Sequence, residues 1–206
     1  WLLEIKDKAE AAFITQDRWK LYLDGYWITL QVAFFAAIIG IIIGTIVALM
    51  KLSTNRRGKK TIFAHLANIY IDIIRGTPSV LQLLIMWFVI MATCKNGILV
   101  ASLSFGINSG AYVAEIIRAG ILAVDKGQTE AGRSLGLNSF QTMRYIVLPQ
   151  AFKNVLPPLC NEFIVLIKET AIVGYVGLSD LTRVAHQITT KTYDAFTPLI
   201  GAAVIY

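Results

Sequence analysis

Seven ionisable side chains lie inside stretches that are otherwise apolar enough to form membrane helices. They are Asp72, Arg75, Glu115, Arg118, Glu162, Lys168 and Glu169. A charge at the centre of a bilayer costs about 2.5–3.5 kcal/mol on insertion scales, so such a group either serves a function or is neutralised by a partner. No Cys/His spacing typical of a metal site is present, and we expect no metal.

Helical spacing offers a structural explanation for four of these charges. Asp72 with Arg75, and Glu115 with Arg118, are three residues apart and can pair on one helix face. Glu162 differs, because no basic residue lies within one helical turn of it and it falls near the middle of its span. We therefore expect Glu162 to face a polar ligand. Ligand binding and an interhelical ion pair near the outer leaflet both remain open for Lys168 and Glu169.

The composition is that of an integral membrane protein. Of 206 residues, 56% are hydrophobic and 16% are charged, whereas soluble domains average about 25% charged. The net charge of +6 does not indicate nucleic-acid binding, since the basic residues lie between apolar spans, as the positive-inside rule describes. The mixed-charge opening, residues 1–20, lacks the apolar core of a secretory signal peptide.

The spacing of apolar stretches predicts an all-α membrane fold with one transmembrane domain over residues 1–206. An external, amphipathic segment (1–24) precedes a core (25–206) of five spans, at about 26–50, 62–93, 98–124, 156–176 and from 196 onward. Gly40 and Gly44 have the G-x-x-x-G spacing of close helix packing. Pro78 predicts a break in the second span.

Basic loops set the predicted orientation. Residues 51–60 contain five cations and no acid, and residues 125–154 also carry more basic than acidic side chains. Both loops should be cytoplasmic, which places the N-terminus and residues 177–194 outside.

The second of these loops holds the most specific motif in the chain. Glu130-Ala-Gly132-Arg-Ser-Leu-Gly136 is followed after nine residues by Ile146-Val-Leu-Pro149. This resembles the EAA---G---------I-LP signature of the permease subunits of bacterial ABC importers, with Gly132 in place of the second alanine. A glycine at that position loosens a helical turn by up to about 1 kcal/mol.

Further motifs resemble the polar amino-acid uptake branch of that family, in the style of histidine and glutamine permeases. They are Ile74-Arg-Gly-Thr-Pro78, Tyr112-Val-Ala-Glu-Ile-Ile-Arg118 and Leu166-Ile-Lys-Glu-Thr170. The resemblance implies a type I ABC importer permease in a bacterial inner or plasma membrane. Its partners would be two ATP-binding cassette subunits, a second permease copy or a sister permease, and an extracytoplasmic amino-acid-binding protein.

The resemblance also implies that the loop contains a coupling helix that fits a groove on the ATPase subunit. The coupling residues would be Glu130, Ala131, Gly132, Ser134, Leu135, Gly136 and Leu137. This chain has no G-x-x-x-x-G-K-[ST] phosphate loop, and Gly58-Lys59-Lys60 is only part of a basic loop. We expect no enzymatic activity and no cofactor bound by this chain, with ATP and magnesium held by the partner ATPase.

A zwitterionic amino acid needs acceptors for its ammonium group and donors for its carboxylate. The side chains that we expect to supply them are Thr77, Asn108, Tyr112, Glu115, Asn161, Glu162, Lys168 and Glu169. The acids favour a basic amino acid, whereas the amides Asn108 and Asn161 suit glutamine equally well. A secondary transporter or channel would also explain buried charges but not the EAA-like loop. A membrane enzyme would need a nucleophile–base pair or metal constellation that the spans lack.

Overall fold

The computed structural model describes residues 2–53 and 59–206, and regular structure in this part is helical. The helices are α1 (Leu2–Ala9), α2 (Arg18–Leu52), α3 (Ile62–Gly76), α4 (Ser79–Ile85), α5 (Gly97–Leu122), α6 (Lys126–Ser134), α7 (Ser139–Thr142), α8 (Leu148–Glu169), α9 (Leu181–Thr192) and α10 (Phe196–Ile205). Residues 54–58, the centre of the predicted basic loop, lie outside the described residues, and so do Arg56 and Arg57.

The first three predicted spans coincide with helices. The helix that ends at Leu52 and α5 are each long and apolar enough to cross a bilayer. The pair Ile62–Gly76 and Ser79–Ile90 counts as a third if it is one broken span. The break falls at Thr77-Pro78, where the missing proline N–H predicts it.

The fourth span differs from its prediction. Helix α8 begins at Leu148 and ends at Glu169, whereas hydropathy predicts a span from 156 to 176. The first turns of α8 are amphipathic, with Lys153 and Asn154 exposed. Their polar residues lower the average hydropathy, so a span prediction based on that average leaves these turns out. Residues Thr170–Val176 continue as a 3₁₀ turn. Another helix, α9, lies in the stretch 177–194 that was expected to be an external connection.

The chain forms two compact units, and α2, α5 and α8 contribute to both. The first contains the described residues of Trp1–Ala36, Ser79–Ser104 and Val165–Tyr206. Its core packs α9 against α2 and α10 through the buried side chains Tyr22, Leu181, Val184, Ala185, Ile188 and Ala202. Asp180 begins α9 by accepting hydrogen bonds from the backbone N–H groups of Thr182 (3.0 Å) and Arg183 (3.3 Å).

The second unit consists of Ala37–Pro78 and Phe105–Ile164. Its core residues are Val47, Ala48, Ala67, Ile71, Ala111 and Ala114. The two residues from α5, Ala111 and Ala114, have small side chains. The predicted close approach at Gly40 and Gly44 is present. A Cβ atom at Gly44 would lie 2.5 Å from Val113 Cγ1 and 2.9 Å from the Gly110 carbonyl, so a side chain there would push α2 away from α5.

Candidate substrate site and coupling loop

Polar side chains follow one face of α5 in the second unit. Asn108 and Ser109 are buried, and Tyr112 and Glu115 are partly buried one and two turns further along. Groups from three other helices meet this face. These contacts lie on α5, which is long and apolar enough to cross a bilayer. A hydrogen bond in such a low-dielectric environment is electrostatically stronger than one at a wet surface.

Glu162 of α8 meets this face at Ser109. The Ser109 hydroxyl donates to Glu162 Oε1 at 2.7 Å. Within the described residues no cation lies within ion-pair distance of the Glu162 carboxylate. The sequence prediction that Glu162 has no intramolecular counter-ion therefore agrees with the geometry, whereas the serine partner, 53 residues away, gave no sequence signal.

Glu115 has a different environment, because two cations neutralise it. Arg118 donates to Glu115 Oε2 through Nε (3.0 Å) and Nη2 (2.9 Å), and Lys51 of α2 pairs with Oε1. The three side chains are 18–31% exposed. The expected i, i+3 pair is thus present. The contribution of Lys51 was missed, since it comes from a distant part of the chain.

The other possible pair, Asp72 with Arg75, is absent among the described ion pairs, so pairing does not explain these two charges. Arg75 instead lies over the ring of Tyr112, with its guanidinium carbon 5.1 Å from the ring centroid. Both Asp72 and Arg75 are exposed at the surface of the chain. A cation over an aromatic face gains about 0.5–1 kcal/mol at an exposed site, and Tyr112 provides that face here.

The remaining expected substrate residues are spread over three elements. Thr77 is exposed at the break after α3, and its hydroxyl donates to the Ile73 carbonyl at 2.9 Å. Asn161 is exposed one residue before Glu162. Lys168, exposed, and Glu169, partly buried, end α8 and belong to the first unit, whereas the other six belong to the second.

The predicted coupling loop, residues 125–147, folds as two short helices joined by a tight turn. Asp125 caps α6 by accepting from Gly127 N at 2.6 Å. At the other end, Gly136 N donates to Arg133 O (3.0 Å) and Leu137 N donates to Gly132 O (3.1 Å), the bond pair of a Schellman motif. Gly136 has φ +85°, a left-handed conformation that an L-residue adopts only with strain.

The next helix begins with a reciprocal cap. Asn138 Oδ1 accepts from Gln141 N, and Gln141 Oε1 accepts from Asn138 N, each at 2.9 Å. A π-helical turn, Met143–Val147, then leads directly into α8. Leu135 and Phe140 are 81% and 71% exposed, so the loop presents apolar side chains outward.

The packing around Gly132 explains why glycine replaces the second alanine of the EAA pattern. It is buried, and a Cβ atom there would lie 2.7 Å from Ile146 Cδ1 and 2.9 Å from Thr142 Cγ2. Helix α6 therefore packs against the following helical segment at this glycine. The sequence alone predicted only a loosened turn, because it does not show that Ile146 contacts this position.

Comparison with known proteins places the chain among transport permeases. The arginine transport system permease protein of Bacillus subtilis (strain 168) is 44% identical over 89% of this chain and 83% of its own length. The glutamine transport system permease protein of Escherichia coli (strain K12) is 34% identical over 90% and 84%. A crystal structure of an amino acid ABC transporter with histidines superposes with a TM-score of 0.82 at 46% identity, covering 91% of this chain and 86% of that one.

The sequence profile that describes binding-protein-dependent transport system inner membrane components matches residues 40–206. Members of this family are membrane subunits of ABC importers, so ATP hydrolysis belongs to partner ATPase subunits and this chain is not an enzyme. The family assignment also excludes a channel or a secondary transporter uncoupled from ATP. The chain belongs to the family of binding-protein-dependent transport system inner membrane components, as an ABC importer permease.

Proposed function

We propose that this chain forms the translocation path of an importer for polar amino acids, with a preference for basic ones, and that Glu162 accepts the cationic group. Relatives that transport arginine and glutamine, and the solved amino acid transporter with histidines, support the substrate class. The observation that carries the preference is the environment of Glu162.

Glu162 is the acid on this face whose charge lacks a counter-ion among the described residues. Ser109 is a neutral donor and engages Oε1 only, so the second carboxylate oxygen can accept from a ligand N–H. Glu115 is less suited, because Lys51 and Arg118 already balance it. A guanidinium or ammonium ligand would add the charge-assisted bonds that a neutral amide cannot.

Arg75 is the corresponding candidate for the substrate carboxylate. It has no ion pair among the described residues and lies over Tyr112, one turn along α5 from Ser109, a rise of about 4.5 Å. Its planar fork suits a carboxylate bidentately. Thr77, Asn108 and Asn161 complete the proposed set of substrate contacts in the second unit, whereas Lys168 and Glu169 of the first unit stay predictions from the sequence.

The proposed assembly follows the family resemblance. Two ATPase subunits, which bind ATP and magnesium, would dock on the exposed side chains of the α6–α7 loop, and nucleotide-driven closure would alternate access to the site. A second permease copy or a sister permease, together with an extracytoplasmic binding protein, would complete the complex. The proposed topology has five spans with the N-terminus outside.

The test is Glu162→Gln, which keeps the shape of the side chain and removes its charge. Losing one charge-assisted contact should weaken arginine uptake about ten- to a hundredfold, from about 1.5–3 kcal/mol, and glutamine uptake much less. Basal ATPase activity should persist. The matched control, Ser109→Ala, keeps the carboxylate and should change arginine affinity less.

Two results would contradict the proposal. Unchanged affinity for arginine and glutamine would give Glu162 a structural role only. A loss confined to glutamine would reverse the preference and favour amide recognition by Asn108 and Asn161.

A further inference from the structure

Two adjoining cavities of the second unit meet at Leu148, the first residue of α8. The larger, about 390 Å³, lies between α2, α5 and α8. The smaller, about 270 Å³, lies beside the π-helical turn and is lined by Phe140, Met143, Arg144 and Leu148. Together they form a groove that runs from membrane depth to Phe140 of α7, at the end of the α6–α7 loop. We call it the Leu148 groove.

The membrane-depth part of the Leu148 groove is apolar. Its side chains come from three helices: Ile41, Thr45, Ile117, Ile121, Leu148, Ala151, Phe152, Val155 and Leu159. Thr45, the one polar side chain among them, donates its hydroxyl to the Ile41 carbonyl at 2.7 Å. This part of the groove therefore makes no hydrogen-bonding demand on an occupant, and a hydrocarbon chain fits it chemically.

The loop end of the groove carries a positive charge. Arg144 lines it, is exposed, and has its guanidinium carbon 5.9 Å from the Tyr145 ring centroid. No acid lines either cavity, and no described acid forms an ion pair with Arg144. Lys153, next to Phe152 on α8, is also an exposed cation but lines neither cavity.

We propose that the Leu148 groove binds one anionic phospholipid of the leaflet next to the α6–α7 loop. An acyl chain would occupy the apolar part, and the headgroup phosphate would accept from Arg144. The charge arrangement favours a lipid with net negative charge over a zwitterionic one, because the groove supplies a cation and no anion. Basic pockets between membrane helices are known to hold such headgroups.

The experiment uses the assembled permease–ATPase complex in lipid nanodiscs that contain phosphatidylcholine and phosphatidylglycerol in equal amounts. Native mass spectrometry would count the lipids retained after partial delipidation. Wild type should retain one phosphatidylglycerol per permease, with about a fivefold preference over phosphatidylcholine. One basic residue near the membrane surface contributes a preference of this size. Arg144→Gln should lower this preference to about one, whereas the control Lys153→Gln should keep most of it.

A second pair of variants tests the apolar part. Thr45→Trp fills the exposed mouth of the groove and should remove the retained lipid, and Ile46→Trp, an exposed neighbour outside the groove, should not. Equal lipid retention in both tryptophan variants would overturn the proposal. So would a Thr45→Trp complex that loses a permease copy, or an Arg144→Gln complex that loses its ATPase subunit, since a protein would then occupy the groove.

Discussion

Removing the charge of Glu115 separates a structural role from a substrate role for this residue. Glu115 sits between Lys51 and Arg118, with each of the three side chains less than one third exposed. The variant Glu115→Gln keeps the side-chain shape but leaves two cations beside each other without a counter-ion. We expect a less stable protein whose affinity for its substrate is unchanged.

The size of the effect follows from the burial of the cluster. Exposed ion pairs contribute about 0–1 kcal/mol, and removing one partner of a fully buried pair costs about 3–5 kcal/mol. At 20% exposure, Glu115 lies between these limits, so we expect a loss of about 1–3 kcal/mol. For a chain of this size, each kcal/mol shifts the unfolding midpoint by about 2–4 °C.

The measurement is thermal unfolding of the purified complex, read beside the substrate affinity for uptake. Glu115→Gln combined with Lys51→Met should recover part of the loss, because it removes one of the two unpaired cations. The control is Glu4→Gln, which breaks the exposed Glu4–Lys8 pair and should shift the midpoint little. A Glu115→Gln protein with wild-type stability and tenfold weaker substrate affinity would refute this reasoning and make Glu115 a ligand-binding residue.

Three further predictions concern the coupling loop and the topology. Gly136→Val should abolish transport while the permease still inserts, because φ +85° strains a β-branched residue; normal uptake would contradict the role of this turn. Gly132→Ala restores the signature alanine but should destabilise the protein by up to about 2 kcal/mol, because overpacking outweighs the gain in helix propensity. Adding Ile146→Val should recover part of that loss, since it removes the nearest methyl group. A Gly132→Ala protein more stable than wild type would refute the packing argument. A cysteine in the variant Ser139→Cys should react only with reagents that enter the cytoplasm, and a cysteine in Ser179→Cys should react with reagents added outside. The reverse labelling pattern in intact cells would invert the proposed topology.

Sequence patterns predicted the elements whose signals are local. The break at Thr77-Pro78 follows from a missing N–H, and the close approach of α2 and α5 follows from Gly40 and Gly44. The left-handed turn at Gly136 lies at the glycine of the EAA-like motif. The start of α8 was misplaced because its first turns are amphipathic, and amphipathic turns lower the average hydropathy on which a span prediction rests.

Contacts between distant residues were not predictable in the same way. Asp72 and Arg75 have the spacing of a helical pair, but Arg75 lies over Tyr112 instead, 37 residues further along the chain. Lys51 reaches Glu115 across 64 residues, and Ser109 reaches Glu162 across 53. Sequence periodicity identifies residues that share a face of one helix, but it does not show which helix packs against that face.

The position of Glu162 on α8 connects the proposed binding site to the coupling loop. The loop and Glu162 belong to the same compact unit, and α8 continues directly from the π-helical turn Met143–Val147. Glu162 is fourteen residues beyond Leu148, about 21 Å along the helix axis. Pro157 and Pro158 lie within this stretch and each removes a backbone hydrogen bond of the helix. A displacement of the loop would therefore reach Glu162 through one helix that lacks two backbone hydrogen bonds just before the carboxylate. Bending at that turn would change the position of Glu162 relative to Ser109.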